Sequence, residues 1–300
     1  RKIFVQTMLP KGQHPSRILV LVHGITSQSD LYLELAAHFA RQGAAVVLFD
    51  APGHGRSDGL LVHIDDWWKF IDDIWDLLDM IIPPLRDAGP SKQPLPVFGM
   101  GVSMGGGIVC CLGFQRPDFF RGIIPMAPML CVSDHVKPGP AVTAIFKNFL
   151  VPLMPTWPIT PSKSLADFDF RVPDQGHRFE KSNPLNMCGA KPRLSTAYQC
   201  AFVWADWAKA RMEEFTTPLF IIHGTEDKIT DPAMSQIMID RARSVDKKLE
   251  LIEGAFHCEV CCCLPGNAAF LGVEWLPEQI AATTRVIELA NNWMIERSST

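Results

Sequence analysis

Apolar residues recur along the chain in two periods that take turns. Short runs with almost no polar interruption lie at Arg17–Val22, Ala44–Phe49, 96–102, Gly122–Met126, 219–223 and 249–252. Such runs suit strands of a parallel sheet buried on both faces. Between them come longer stretches with helical spacing. In 64–85, Trp67, Phe70, Ile71, Ile74, Leu77 and Leu78 recur at i, i+3 and i+4, which predicts a long amphipathic helix facing the sheet. Helical spacing also covers 30–41, and residues 104–114 continue as an apolar helix straight after a strand. Residues 2–8 alternate enough for an edge strand, with a turn at Pro10-Lys11-Gly12. The alternation predicts an α/β fold: a mostly parallel central sheet with right-handed crossovers and helices on both faces. Ligands of such sheets bind at the carboxyl ends of the strands.

One segment breaks the alternation. From 128 to about 200 the chain is rich in proline and aromatic residues, between two good sheet strands. It reads as a cap inserted into a single domain spanning 1–300. Within it, 141–157 is helical and largely apolar. Phe146, Leu150, Leu153, Met154 and Trp157 are expected to line a substrate tunnel, with ordinary packing of the cap as the alternative.

The chemistry centres on 96–114, read as strand, one-residue corner and helix. Gly101-Val102-Ser103-Met104-Gly105 places a serine at the corner with small residues two positions away on either side, as a strained nucleophile turn requires. The pattern alone is weak, and residues 95–114, uncharged throughout, are just long enough to span a membrane. The glycines and the strand-like first half argue against that span. Two later segments supply context. Strand 219–223 leads into a turn presenting Asp227, and strand 249–252 leads into a loop presenting His257. A serine hydroxyl needs a base near neutrality to take its proton, and a carboxylate to orient that base. Glu226 and Asp231 compete for the acid role; Asp227 is preferred because Asp231 suits the cap of a helix beginning at Pro232-Ala233. The developing oxyanion needs backbone donors, expected from Met104 and from Ile25 after His23-Gly24. His23, His54 and His223 flank glycine turns and read as structural.

Composition narrows the function classes. Of 300 residues, 47% are hydrophobic, enough for a large single core. A net charge of −4 without basic runs excludes nucleic acid as an expected partner. Nine cysteines, scattered apart from Cys110-Cys111 and Cys261-Cys262-Cys263, look like reduced thiols and suggest a cytoplasmic setting. Cys258 to Cys263 holds a CxxC spacing beside His257, but no second such pair, so no metal or other cofactor is expected; oxidation or acylation of these thiols is a further expectation. The chain starts at Arg1, not Met, so it reads as trimmed or excised.

Taken together, HGITSQS, FDAPGHGRSDG, GVSMGG, GTEDKITDP and GAFH resemble the monoacylglycerol lipase group of α/β-hydrolases, including plant lysophospholipase-like and caffeoylshikimate esterase-like members. The resemblance extends into the cap at APMLCVSDHVKPG, MPTW and KPRLSTAYQ, and covers about 2–293. It implies an α/β-hydrolase fold with Ser103 as nucleophile, Asp227 as acid, His257 as base, and Ile25 and Met104 as oxyanion donors. The chain departs from the group at Val102 and at Cys258-Glu259-Val260-Cys261-Cys262-Cys263, both at the rim of the site. The expected function is a cofactor-free serine ester hydrolase of the monoacylglycerol lipase type, which acylates Ser103 with a fatty acyl or similar group from a small-molecule ester or lipid and releases an alcohol such as glycerol, with peripheral membrane contact through the cap. Lysophospholipase, hydroxycinnamoyl esterase and acyltransferase are the enzymatic alternatives, and a non-catalytic receptor on the same fold is the alternative of another class. The oligomeric state is left open.

Overall fold

The uninterrupted apolar runs form the interior of a sheet. In a computed structural model, which describes residues 1–87, 93–183, 185 and 191–298, the strands are β1 (Val5–Met8), β2 (Arg17–Val22), β3 (Ala44–Phe49), β4 (Val97–Val102), β5 (Gly122–Met126), β6 (Leu219–Gly224) and β7 (Lys247–Ile252). They assemble into one 7-stranded sheet in the order β1-β3-β2-β4-β5-β6-β7. All neighbours pair in parallel except β1, which runs antiparallel to β3 at the edge. Successive side chains of β2 show why no polar position interrupts it. Ile18, Val20 and Val22 enter one core and Leu19 and Leu21 enter the other, so both faces are dry.

The helices are α1 (Leu33–Arg41), α2 (Trp67–Arg86), α3 (Met104–Gln115), α4 (Pro140–Ile145), α5 (Val151–Leu153), α6 (Pro173–Lys181), α7 (Leu194–Tyr198), α8 (Ala205–Arg211), α9 (Pro232–Arg241), α10 (Pro265–Leu271) and α11 (Pro277–Ser298). One core joins α2, α3, α8 and α9 to the sheet, and the other joins α1, α6, α10 and α11. The run 95–114, weighed above as a membrane span, is β4, the corner and α3; among the described residues no helix is long and apolar enough to cross a membrane.

Two helix boundaries differ from the periodic reading, each for a local reason. The long helix starts at Trp67, not 64, because Asp66 accepts the Lys69 N–H at 2.9 Å and caps it there. Ile64 is instead tied to α7: its N–H donates to Thr196 Oγ1 and its carbonyl accepts from Ser195 Oγ. Upstream, the helical spacing from 30 is a 3₁₀ turn at Ser29–Tyr32 before the α-helix begins at Leu33.

Between β5 and β6 lie α4 to α8. This segment carries two π-helical turns, Phe146–Leu150 and Gln199–Trp204. Such turns hold an extra residue each and tend to occur where side chains must be re-aimed.

Candidate active site

The corner between β4 and α3 requires the glycines around it. A side chain on Gly101 would collide with the Gly105 carbonyl, and one on Gly105 with the Val22 carbonyl, so only glycine lets β2, β4 and α3 approach this closely. Ser103 itself sits at φ 55° and ψ −116°, a conformation that costs a non-glycine residue about 1–3 kcal/mol and persists only where its surroundings enforce it. They do: Ser103 N–H donates to the Met126 carbonyl at 3.0 Å, and the Ser103 carbonyl accepts from Gly107 N–H at 3.0 Å and Met129 N–H at 2.9 Å.

The loops after β6 and β7 bring the other two candidates together. His257 Nδ1 lies 2.6 Å from Asp227 Oδ2, and both side chains are buried. That contact commits Nδ1 to carrying the proton and leaves Nε2 as the basic nitrogen. Oδ1 of Asp227 accepts from the N–H groups of Ile229 at 2.8 Å and Thr230 at 3.0 Å, which fixes the carboxylate plane. Of the competing acids, Glu226 is exposed, and Asp231 caps α9 by accepting the Ala233 N–H at 2.9 Å, as its position before Pro232 predicts.

Charge follows this geometry. Burial disfavours ionised Asp227, but His257 and His223 outweigh it and hold the carboxyl far below its ordinary range. Burial likewise opposes a charge on His257, yet Asp227, by its charge and its hydrogen bond, raises the imidazole above its ordinary value. Asp169, buried near the same histidine, is pushed up by burial to about 8.

The expected oxyanion positions adjoin Ser103. Met104 is the first residue of α3, where backbone N–H groups lack intrahelical partners. Ile25 lines the same cavity as Ser103. His23 organises the loop before it: Nε2 accepts from Ala51 N–H at 3.0 Å, so Nδ1 donates to the Gly24 carbonyl at 2.7 Å, and burial lowers its pKa and keeps the ring neutral. His54 packs on it at 5.3 Å between ring centroids and is lowered by burial to about 3.

An apolar cavity of about 120 Å³ opens on Ser103 and runs under the 128–200 segment. Its wall includes Met129, Val136, Phe146, Leu165, Ala201 and Phe202, with the Phe146 and Phe202 rings 6.1 Å apart. Both π-helical turns thus contribute an aromatic ring. Of the residues expected to line a tunnel, Phe146 does so. Leu150, Leu153, Met154 and Trp157 do not; Leu153 is 75% exposed because the 140–153 helical run turns only one side inward, and Trp157, which follows that run, is 54% exposed.

Sequence reasoning missed three contributors. Thr230 places its hydroxyl 2.9 Å from Asp227 Oδ2 and 3.3 Å from His257 Nδ1. Glu259, fully buried, pairs with Arg171 at 3.0 Å and accepts from Phe256 N–H and Gln279, clamping the turn that begins at His257. His223, read as a turn-flanking residue, instead bonds the candidate acid itself, with Nε2 3.0 Å from Asp227 Oδ2. The spacing of the apolar residues carries no signal for any of them; the GTEDKIT run hinted only that the turn was built for a carboxylate.

Cys258, Cys261, Cys262 and Cys263 are free and buried beside this turn, as are all the described cysteines except the half-buried Cys131; Cys188 lies outside the described residues. Hydrogen bonds from Cys258 and Cys261 hold the Cys262 thiol well below its ordinary range. Among the described residues, no group of three or more His, Cys, Asp or Glu side chains is placed to hold a metal ion.

Comparison with known proteins agrees with the motif resemblance. The chain is 29% identical over 258 residues to a caffeoylshikimate esterase of Arabidopsis thaliana, covering 85% of this chain and 75% of that one. It is 26% identical over 301 residues to a monoglyceride lipase of Homo sapiens, covering 99% and 88%. The crystal structure of Paleococcus ferrophilus monoacylglycerol lipase superposes with a TM-score of 0.76 at 23% identity, covering 99% of this chain and all of that one, so the fold is shared. The family model described as Serine aminopeptidase, S33 (Hydrolase_4) matches residues 13–260, most of the chain, and the protein belongs to that family of α/β-hydrolases.

Proposed function

We propose that the protein is a serine ester hydrolase of the monoacylglycerol lipase type, with Ser103 as nucleophile, His257 as base, Asp227 as acid, and Ile25 and Met104 as oxyanion donors. Ser103 Oγ attacks the ester carbonyl as His257 Nε2 takes its proton, and the charge that develops on the carbonyl oxygen meets the two backbone N–H groups. Each such donor is worth about 3–4 kcal/mol of transition-state stabilisation. Collapse expels the alcohol, protonated by His257. Water then enters by the same route and releases the acid. No cofactor takes part in these steps.

The observation that carries the reading is the apolar cavity that ends on Ser103 and includes Thr230 in its wall, whose hydroxyl touches a His257–Asp227 pair bonded at 2.6 Å. A wall of aliphatic and aromatic side chains favours an acyl chain over a polar substituent. The monoglyceride lipase relative of Homo sapiens supports the same substrate class. A second reading, hydroxycinnamoyl ester hydrolysis, is favoured by the Phe146–Phe202 ring pair and by the plant esterase relative.

The 128–200 segment acts as the cap in this proposal. Its outer side carries Val142, Ile145, Phe149 and Leu153 in the exposed state, at helical spacing, which suits contact with a lipid surface.

One experiment separates the two substrate classes. Each methylene buried in the cavity is worth up to about 0.8 kcal/mol, nearly fourfold in kcat/KM. Measured across p-nitrophenyl esters from acetate to dodecanoate below their micelle concentrations, kcat/KM should rise with chain length and then level off. Phe146→Asp should flatten the rise while sparing acetate. A flat wild-type profile with best rates on feruloyl or caffeoyl esters would overturn the lipid reading in favour of the second.

A further inference from the structure

The candidate acid does not serve one imidazole. Oδ2 of Asp227 lies 2.6 Å from His257 Nδ1 and 3.0 Å from His223 Nε2, and all three side chains are buried. His223 is held in turn from behind. Its Nδ1 lies 2.8 Å from the hydroxyl of Ser235, a buried residue of α9, and Thr230 Oγ1 stands 3.3 Å from its Nε2. A neutral ring that donates from Nε2 to the carboxylate and accepts the Ser235 hydroxyl at Nδ1 satisfies both contacts. The result is a chain of hydrogen bonds from α9 through β6 to the turn after β7: Ser235, His223, Asp227, His257.

We propose that His223 is a positioning residue for catalysis, a second imidazole that shares Oδ2 of Asp227 with the base and limits how tightly the carboxylate holds the proton on His257. This inference rests on the triad reading above. A carboxylate oxygen with two N–H donors spreads its charge over both, so each bond is weaker than it would be alone. Asp227 must stabilise the imidazolium while Ser103 is attacking, yet not so strongly that His257 Nε2 withholds its proton from the leaving alcohol. The competing donor limits that stabilisation.

The pH profile reads this role. His257 faces Asp227, Asp169 from the segment before α6, and Cys262 from its own turn. Burial pushes Asp169 up to about 8 whereas Asp227 is held far below its ordinary range, so Asp227 is the carboxylate that stays ionised beside His257 throughout the acid limb. Removing the second donor leaves more negative charge directed at His257, which favours the protonated ring. The acid limb of kcat/KM should therefore move to higher pH, and kcat should fall without a change in KM.

The experiment uses the whole chain and compares His223→Leu, which keeps bulk but loses the donor, with His223→Gln, which keeps a donating amide. Ser235→Ala, which frees the ring without removing it, is run beside them in case the leucine variant does not fold. His223→Leu should lower kcat about tenfold at unchanged KM and raise the acid limb by about half a pH unit. His223→Gln should restore most of both, and Ser235→Ala should shift the limb in the same direction by less. A limb that stays at the wild-type position in folded His223→Leu, or in Ser235→Ala if the leucine variant does not fold, overturns the proposal. Ser103→Ala and His257→Ala serve as controls. Turnover that survives in either would bring down the triad reading, whereas inactive controls with an unmoved limb bring down the role of His223 alone.

Discussion

At Asp227 both carboxylate oxygens are surrounded by donors: two backbone N–H groups on Oδ1, and two imidazoles and the Thr230 hydroxyl on Oδ2. Replacing the carboxylate by an amide keeps the shape but turns one oxygen into a donor facing His257, which forces the wrong tautomer. Asp227→Asn should therefore cut kcat by about 10⁴-fold, while Glu226→Gln, altering an exposed side chain, should leave it nearly unchanged. Steady-state kinetics on a short soluble ester decides it, and reversed effects would move the acid to Glu226. The same carboxylate sets the pH dependence. His257 works as a base only when neutral and its pKa is raised, so kcat/KM should be lost as pH falls through a midpoint above 6.5. Spacing along the chain reached Ser103, Asp227 and His257 because each follows a strand whose apolar run is unmistakable. It could not reach Thr230 or the bond from His223, since those contacts depend on how the 225–231 loop folds back over the strand end.

At the scale of elements, the His257 turn owes its position to a side chain two residues on. Glu259 is fully buried and binds Arg171, Gln279 and the Phe256 N–H, joining the segment before α6, the turn and α11. Glu259→Ala removes one of the partners of Arg171, which keeps Glu278 and the Gly254 carbonyl, and leaves the Phe256 N–H and one Gln279 N–H without their acceptor, a loss of about 1–3 kcal/mol. The urea midpoint should fall accordingly, with kcat lowered as the turn loosens; an unchanged midpoint would show that the clamp is dispensable. From sequence this stretch stood out only for its cysteines, because a lone glutamate among them gives no sign of its partners 88 residues upstream and 20 downstream. The 146–150 segment was misjudged for a different reason. Helical spacing marks apolar positions but does not say which side meets the cavity, and a π-helical turn alters the count, so Phe146 faces inward while Leu153 and Trp157 face out. The five inner strands, by contrast, were legible to within a residue, since burial on both faces leaves little tolerance for a polar residue, whereas β1 and β7, only partly buried, begin at Val5 and Lys247 and not at 2 and 249.

The whole molecule combines a sheet that holds the candidate triad at its carboxyl edge with a segment that roofs it and shows apolar side chains outward. If that outer side meets lipid, Phe149→Ser combined with Leu153→Ser should weaken cosedimentation with phosphatidylcholine vesicles several-fold and leave hydrolysis of a soluble ester unchanged. Equal cosedimentation of variant and wild type would remove the lipid contact from the account. The central claim, ester hydrolysis through Ser103, is tested most directly by the release of free fatty acid from a monoacylglycerol by the purified wild-type chain and by Ser103→Ala, side by side. The account predicts steady release by the wild type and release at the buffer background in the variant, with both proteins folded. Equal release by the two proteins, or none above background from the wild type, would contradict it.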